Sequence, residues 1–412
     1  MAVIRTVTAR QIEDSRGTPT IEVTLTTERG TSVASVPSGA STGVHEALEL
    51  RDGDPTVHNG RGVSKAIAHV NEEIAAAVVG KEFDQTSLDA FLCELDGTPN
   101  KSRLGANAIL GVSIAFARAQ AEEQGLPLYA YLGSLDGRTE FSVPQPLFNI
   151  LNGGKHARHG IDIQECMLTP VGFSTMREKV DVVMQCVAAL EELLTERGYA
   201  APIGDEGGFA PDLSSNDEAL ELLVSAVTRA GYATDQFKIA LDVAASSFYT
   251  EGKYVLHAGG EREIAKEELL AWYARAVESY PIISIEDGFA EDDWEGFAAL
   301  TEKLGSKISI VGDDLTVTNV SRIQEVVEKR AANACIIKPN QIGTVTEAVR
   351  AVQAARSAGW KVFASHRSGE TMDTFISDFA VGLSCDYLKA GAPTKEERRV
   401  KYTRCMDIEE TL

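Results

Sequence analysis

No apolar stretch in this sequence is long enough to cross a bilayer, so no transmembrane helix is expected. Met1–Ile12 carries Arg5 and Arg10 and has no apolar segment of the secretory kind. Basic runs are equally scarce. The one short stretch, Lys395–Arg399, is interrupted by Glu396 and Glu397. With 39 Lys and Arg against 61 Asp and Glu, the formal net charge is −22. Phosphate backbones and anionic lipid repel such a chain, so neither nucleic acid nor membrane is expected as a partner. An anionic ligand would need metal ions or converging Lys and Arg side chains to reverse that field locally.

The six cysteines (Cys93, Cys166, Cys186, Cys335, Cys385, Cys405) include no CxxC pair and no regular framework. They read as reduced small hydrophobes, and the cytoplasm is the expected location. No Walker loop is present: no Gly-Lys-Ser/Thr follows the small, hydroxyl-rich stretch Ser38-Gly39-Ala40-Ser41-Thr42-Gly43 at the required spacing. That stretch reads as a mobile lid or anion loop. His45-Glu46-Ala47-Leu48-Glu49 lacks the second His of a zinc-binding HExxH helix and reads as a helix start.

What is present is ample core material, 44% hydrophobic in 412 residues, enough for two domains. Val3–Ile12, Ile21–Thr27 and Thr31–Val36 read as strands, the first two parted by the turn cluster Asp14–Pro19. Helical patterns follow at Val63–Val79, Ser87–Leu95 and Ala106–Gln124. Strands first and helices after predict a small α+β domain over 1–132. Residues 133–146, with Asp136-Gly137 and two prolines, read as a linker to a second domain over 147–412.

The second domain alternates helical patterns with short apolar runs, each closed by a charged residue. Phe237–Leu241 ends at Asp242, Ile282–Ile285 at Glu286 and Ile308–Gly312 at Asp313. Ala334–Ile337 ends at Lys338, Lys361–Ser365 at His366 and Asp386–Leu388 at Lys389. Spacings of 44, 27, 25, 28 and 23 residues suit one strand, one helix and two loops each. This rhythm predicts a parallel β/α barrel of the TIM type, with chemistry at the C-terminal ends of its strands. An open doubly wound sheet is the alternative; it would more often carry a glycine-rich phosphate loop after its first strand.

Asp242, Glu286 and Asp313 at three strand ends would converge, and like charges that close need a cation between them. An all-oxygen set suits Mg²⁺ or a similar hard ion. Lys338 and Lys389 occupy strand ends where burial penalises an ammonium, and Lys338 or Lys389 beside a metal can act as a base. Arg367-Ser368-Gly369, after His366, has the fork, hydroxyl and close backbone of a phosphate clamp. Glu206 lies between the glycines of Gly204–Gly208, and Gln164-Glu165 closes a short strand read at Ile161–Ile163. Asn152-Gly153-Gly154-Lys155-His156 reads as a further flexible loop. Metal plus lysine base suggests removing a proton next to a carboxylate, with the developing charge placed on the metal.

The chain resembles the enolase family nearly end to end. The resemblance rests on Asp14-Ser15-Arg16-Gly17, Ser38–Gly43, Gly204–Pro211, Leu241–Ser246, Ser284–Asp287, Glu291–Trp294, Gly312–Asn319, Asn340–Thr344, Ser365–Thr371 and Gly391-Ala392-Pro393, in that family's order. It implies a small α+β domain capping a modified barrel that opens ββαα before its βα repeats. It also implies Mg²⁺-dependent, reversible dehydration of 2-phosphoglycerate to phosphoenolpyruvate. By resemblance, Asp242, Glu286 and Asp313 hold one Mg²⁺, and Ser41 helps hold a second that arrives with substrate. Lys338 takes the C2 proton, and Glu206 protonates the leaving C3 hydroxyl with Glu165 and His156 beside it. Gln164, His156, Glu165, His366, Arg367, Ser368, Lys338 and Lys389 contact substrate. The pairing of a lysine base with magnesium is the known chemistry of the enolase superfamily, not a deduction from spacing. The cations should lower the pKa of Lys338, and burial or Glu165 should keep Glu206 protonated. A homodimer or larger homo-oligomer is implied as well.

The chain departs from the family at Gly288 (commonly Pro), Met372 (often an acid), Ala390 (Thr), Cys166 (Phe) and Ser247 (Glu). None of these is a named metal or catalytic residue. Two other readings stay open here. One is a racemase or dehydratase of unphosphorylated acids, against which Ser41, Arg367 and Ser368 stand. The other is an enolase-fold paralogue with altered turnover or a non-catalytic scaffold role, which would not need Lys338 or Glu206.

Overall fold

A computed structural model describes residues 1–39, 43–157 and 160–412. The chain begins with an antiparallel sheet of Thr6–Glu13, Pro19–Thr26 and Thr31–Ser35. The sheet's inner residues Ile21, Val23 and Leu25 are fully buried against the helix Ala106–Gln124, which is buried along most of its length. Gly111 is where that helix comes closest, since a Cβ there would press into Val23. The expected Val63–Val79 helix runs as Ser64–His69, Val70–Ile74 and Ala75–Val78, the middle piece in π geometry. The expected helix start at His45-Glu46 is instead a turn over Val44–Glu46. The reason is that Glu46 is drawn to Arg367 and to the Gly43 amide rather than into a helix.

Eight strands then close a barrel in chain order: Gln145–Asn152, Glu165–Pro170, Phe237–Asp242, Ile282–Glu286, Ser309–Gly312, Ala334–Ile337, Lys361–Ser365 and Tyr387–Lys389. The first takes in Gln145 and Pro146, which the sequence reading left in the linker. Leu147, Met167, Ala240, Val311, Ala334, Ile336 and Phe363 fill the interior, and apolar helices pack outside. Among the described residues, no helix is long and apolar enough to cross a membrane.

The later repeats are parallel as their rhythm predicted, while the second strand runs antiparallel to both neighbours, in the modified opening that the resemblance implied. A hairpin-like connection joins strands one and two, and the helices Met176–Glu196 and Asn216–Arg229 follow together, giving the ββαα opening. The short strand read at Ile161–Ile163 is loop, and the real strand begins at Glu165. Ile161 and Ile163 are buried because they close over Gly153, where a Cβ would meet both. The long first spacing, from Asp242 to Glu286, holds an extra antiparallel sheet of Tyr249–Thr250, Lys253–Leu256 and Arg262–Ile264.

The N-terminal sheet domain sits on the C-terminal rim of the barrel. Ser38 and Gly369 exchange both backbone hydrogen bonds, at 2.8 and 2.9 Å. Arg118 forks onto Asp373 at 2.6 and 2.8 Å, and Asp373 also accepts from the Ser35 amide. A Cβ on Gly369 would collide with Asp14, Arg16 and Ser38. Gly369→Ala should therefore cost about 1–3 kcal/mol of stability through overpacking. It should also raise KM more than it lowers kcat, because the loop it displaces carries Arg367 and Ser368. Denaturant unfolding and steady-state kinetics on the same preparation check this; unchanged stability and KM would contradict the docking role.

Candidate active site

Asp242 and Glu286 end barrel strands three and four, and Asp313 and Lys338 follow strands five and six. His366 follows strand seven, and Lys389 ends strand eight. Glu165 joins the same rim from the opposite chain direction, because strand two is inverted and begins there. Glu165 pairs with Asp242 across strands two and three, and Asp242 with Glu286 across three and four, so the three carboxylates form one row.

Two ammonium groups balance this row. Lys389 Nζ lies 2.8 Å from Asp242 Oδ2, 2.9 and 3.0 Å from the two Glu286 oxygens and 3.4 Å from Glu165 Oε2. Lys338 donates to Asp313 Oδ2, while Gln341 Nε2 donates to Asp313 Oδ1 at 2.9 Å. Gln164 Nε2 approaches Asp242 Oδ2 at 3.4 Å. Burial, and then Asp242, push the Glu286 carboxyl well above the usual range, which marks a site short of positive charge. Burial alone would lower both lysines, but Asp313 reverses this at Lys338, and Asp242, Glu165 and Glu286 reverse it at Lys389. The lowering expected at Lys338 depends on bound cations; without them, the Asp313 carboxylate raises it.

On the far side, the ligating atoms of His156, Glu165 and Glu206 lie within 4.8 Å of one another. His156 Nδ1 is 3.6 Å from Glu165 and 3.9 Å from Glu206. Asn149 Nδ2 donates to Glu206 Oε2 at 3.0 Å, and His366 Nε2 faces that oxygen at 3.4 Å. The loop around Glu206 is pinned by its own backbone. Gly204 donates to the Gly208 carbonyl and Phe209 to that of Ile150, and Glu206 is 3% exposed. Burial and the Glu206 charge push Glu165 well up. Burial would do the same to Glu206, but the imidazoles of His366 and His156, with Arg398 behind, outweigh it and hold Glu206 well down. The proton was expected on Glu206; without a metal, the surrounding charges favour a proton on Glu165 over one on Glu206.

Burial, with Arg398 and against the pull of Glu206, holds His366 down to about 4 from 6.5. A depressed pKa contributes stability that is complete above the unfolded value and fades as pH falls toward the folded one. His366 titration should thus cost on the order of 3 kcal/mol of the stability present at pH 7 as pH falls from about 6.5 to about 4. His366→Gln should show a flatter fall in melting temperature over that window; an identical profile in both proteins would contradict the assignment.

Arg367, 4% exposed, forks onto Glu46 at 2.9 and 3.2 Å and donates to Asn340 Oδ1 at 3.0 Å. The same fork fits a phosphate. Ser368 Oγ accepts from Arg16 Nη1 at 3.3 Å, and Arg16 in turn pairs with Asp14 and Ser38. Ser41, the remaining expected ligand, lies outside the described residues.

The donor set fits a hard cation. Asp287, Asp313 and Asp314 also group within 4.8 Å, so acidic clusters able to hold a metal stand on this rim. Asp242, Glu286 and Asp313 do not form so tight a set, since Lys389 lies between the first two and Lys338 on the third. Buried polar atoms without a hydrogen-bond partner gather here too, on Asn149, Asn152, His156, Gln164, Glu165, His366 and Arg398. Such atoms are rare in folded chains; those of His156, Gln164, Glu165 and His366 line one cavity, with the others just behind it, and mark a place built for a polar ligand. Sequence reading missed Asn149, Asn152, Glu46, Gln341 and Arg398 as members of this site. Asn152 carried a signal, next to the Gly153-Gly154 pair; Asn149 and Arg398, inside a strand and a helix, carried none.

Family models described as "Enolase, N-terminal domain" and "Enolase, C-terminal TIM barrel domain" match residues 4–132 and 140–412. The chain is 52% identical over 414 residues to "Enolase 1" of Methylococcus capsulatus, covering 100% of this chain and 98% of that one. It is 51% identical over 415 residues to "Enolase" of Rubrobacter xylanophilus, covering 100% and 96%.

Proposed function

The chain belongs to the enolase family and is a phosphopyruvate hydratase, a lyase that reversibly dehydrates 2-phosphoglycerate to phosphoenolpyruvate; from that membership we propose which residues carry the reaction. Asp242, Glu286 and Asp313 would hold one Mg²⁺, and Ser41 would help hold a second. When bound, the metal supplies positive charge for the second negative charge that grows on the substrate carboxylate as C2 loses its proton.

Lys338 accepts that proton. To do so it must first give up its own, which requires that Asp313's charge be committed elsewhere. Glu206 gives a proton to the departing C3 hydroxyl. That proton reaches it from the cluster it shares with Glu165 and His156, where Glu165 stores it. Lys389 stays charged and, with Gln164, holds the substrate carboxylate. Arg367 exchanges Glu46 for the phosphate, with Ser368 and His366 beside it. The observation that supports this most is that Lys338, Glu206, Glu165, Arg367 and Lys389 all line one cavity at the C-terminal rim.

Ultraviolet detection of phosphoenolpyruvate from 2-phosphoglycerate tests the reading. Turnover with Mg²⁺ that stops on chelation is expected; turnover unchanged by chelation, or none from folded, Mg²⁺-loaded protein, would contradict it. We also propose the division 1–132, 133–146 and 147–412, with the last two linker residues, Gln145 and Pro146, entering the first barrel strand, a cytoplasmic location and at least a homodimer. A sizing profile at the 44.3 kDa of one chain would refute the dimer.

A further inference from the structure

Arg398, on the helix Glu396–Glu409 outside the barrel, is completely buried. Nη1 contacts His366 Nδ1 and donates to the Arg367 carbonyl, both at 2.6 Å. Nη2 donates to the Ser368 carbonyl at 2.6 Å and to the Asp205 carbonyl at 3.2 Å. Its Nε–H has no acceptor, and the nearest carboxylate, Glu397, is 3.8 Å away. A buried guanidinium without a close ion partner is an expensive way to hold a fold together. All four terminal N–H groups go instead to the two loops that carry Glu206 and the Arg367-Ser368 pair.

One of those four contacts has a chemical consequence. A guanidinium has no lone pair to offer, so at the Arg398–His366 contact the imidazole must be the acceptor. His366 Nδ1 is therefore unprotonated, and the single proton of the neutral ring sits on Nε2. That nitrogen points at Glu206 Oε2, 3.4 Å away, with no hydrogen bond yet formed. Room for the arrangement comes from Gly391, where a Cβ would press on both Arg398 Cδ and His366 Cε1.

We infer that Arg398 is a positioning residue for dehydration: it fixes His366 as the Nε2–H tautomer, aims that proton at Glu206 and ties the Glu206 loop to the anion-binding loop. Arg398 touches no substrate and acts through His366 and the two loops. The inference rests on the reading of Glu206 as the group that protonates the C3 hydroxyl. The depressed pKa of His366 agrees with it, since a second proton would have to enter Nδ1 against the guanidinium.

The test is imidazole ¹⁵N NMR on the full-length protein labelled at its seven histidines, with the His366 signals assigned from His366→Gln. In the wild type, His366 should be the Nε2–H tautomer near pH 7. Arg398→Met should shift it toward Nδ1–H. The same variant should retain C2 proton exchange within about threefold while dehydration falls about 100-fold, the size of a lost acid–base contribution. Arg398→Lys, which keeps one donor and the charge, should recover part of the dehydration rate. A wild-type Nδ1–H tautomer would overturn the inference without any variant, even if Arg398→Met fails to fold. Equal loss of exchange and dehydration in folded Arg398→Met, with the tautomer unchanged, would reduce Arg398 to a structural cross-link. The tautomer is read without substrate, so an inactive wild type would count against the proposed function and leave this measurement standing.

Discussion

Lys338→Ala should abolish exchange of the C2 proton of 2-phosphoglycerate with solvent and lower turnover about 10⁴-fold, the upper range for a lost general base. The lysine follows barrel strand six, is half-buried and has one acid, Asp313, in direct contact. Among the described residues, the other lysine and the histidines assigned to the site are already engaged. Lys389 is held by Asp242 and Glu286, while His156 and His366 belong to the Glu206 cluster on the far side. The truncation removes no carboxylate, so Mg²⁺ binding should persist or tighten as Asp313 loses a competing cation. Deuterium uptake at C2, followed by proton NMR in D₂O, reads the first effect, and phosphoenolpyruvate absorbance reads the second. Surviving exchange in folded Lys338→Ala would mean that another group takes the proton.

Lys389→Met should destabilise the metal-free protein by about 3–5 kcal/mol, the usual cost of breaking a buried ionic contact from one side. Glu165, Asp242 and Glu286 would be left in low-dielectric surroundings without their shared ammonium. The loss should grow as pH rises, because each carboxylate that ionises then does so unpaired. Mg²⁺ should restore more stability to this variant than to the wild type, since a ligand that binds only the folded state stabilises it in proportion to its affinity. Turnover should still fail, because the group that holds the substrate carboxylate is gone. Denaturant unfolding with and without Mg²⁺ checks both points; equal Mg²⁺ stabilisation of the two proteins would separate Lys389 from the metal-binding acids.

The six charged residues closing apolar runs were legible in the sequence because a barrel strand must end where its helix connection begins. That made the chain register of Asp242, Glu286, Asp313, Lys338, His366 and Lys389 visible without a structure. The inverted second strand was not legible from residue pattern, because both faces of a barrel strand are covered and its direction leaves no periodic trace. Glu165 was therefore placed at the end of a strand that it in fact begins. The protonation pattern was also hidden. Whether Glu165 or Glu206 keeps a proton depends on two histidines, an asparagine and an arginine drawn from four distant segments. Glu46 was misread for a similar reason, since its partner Arg367 lies over three hundred positions away.

The measurement that bears most directly on the division of labour between Lys338 and Glu206 is C2 exchange and dehydration followed together in Glu206→Gln. In D₂O with Mg²⁺ and 2-phosphoglycerate, deuterium should enter C2 at close to the wild-type rate while phosphoenolpyruvate formation falls at least 100-fold, the range for a lost general acid. Parallel loss of exchange and dehydration would contradict the separation of base and acid across the cavity.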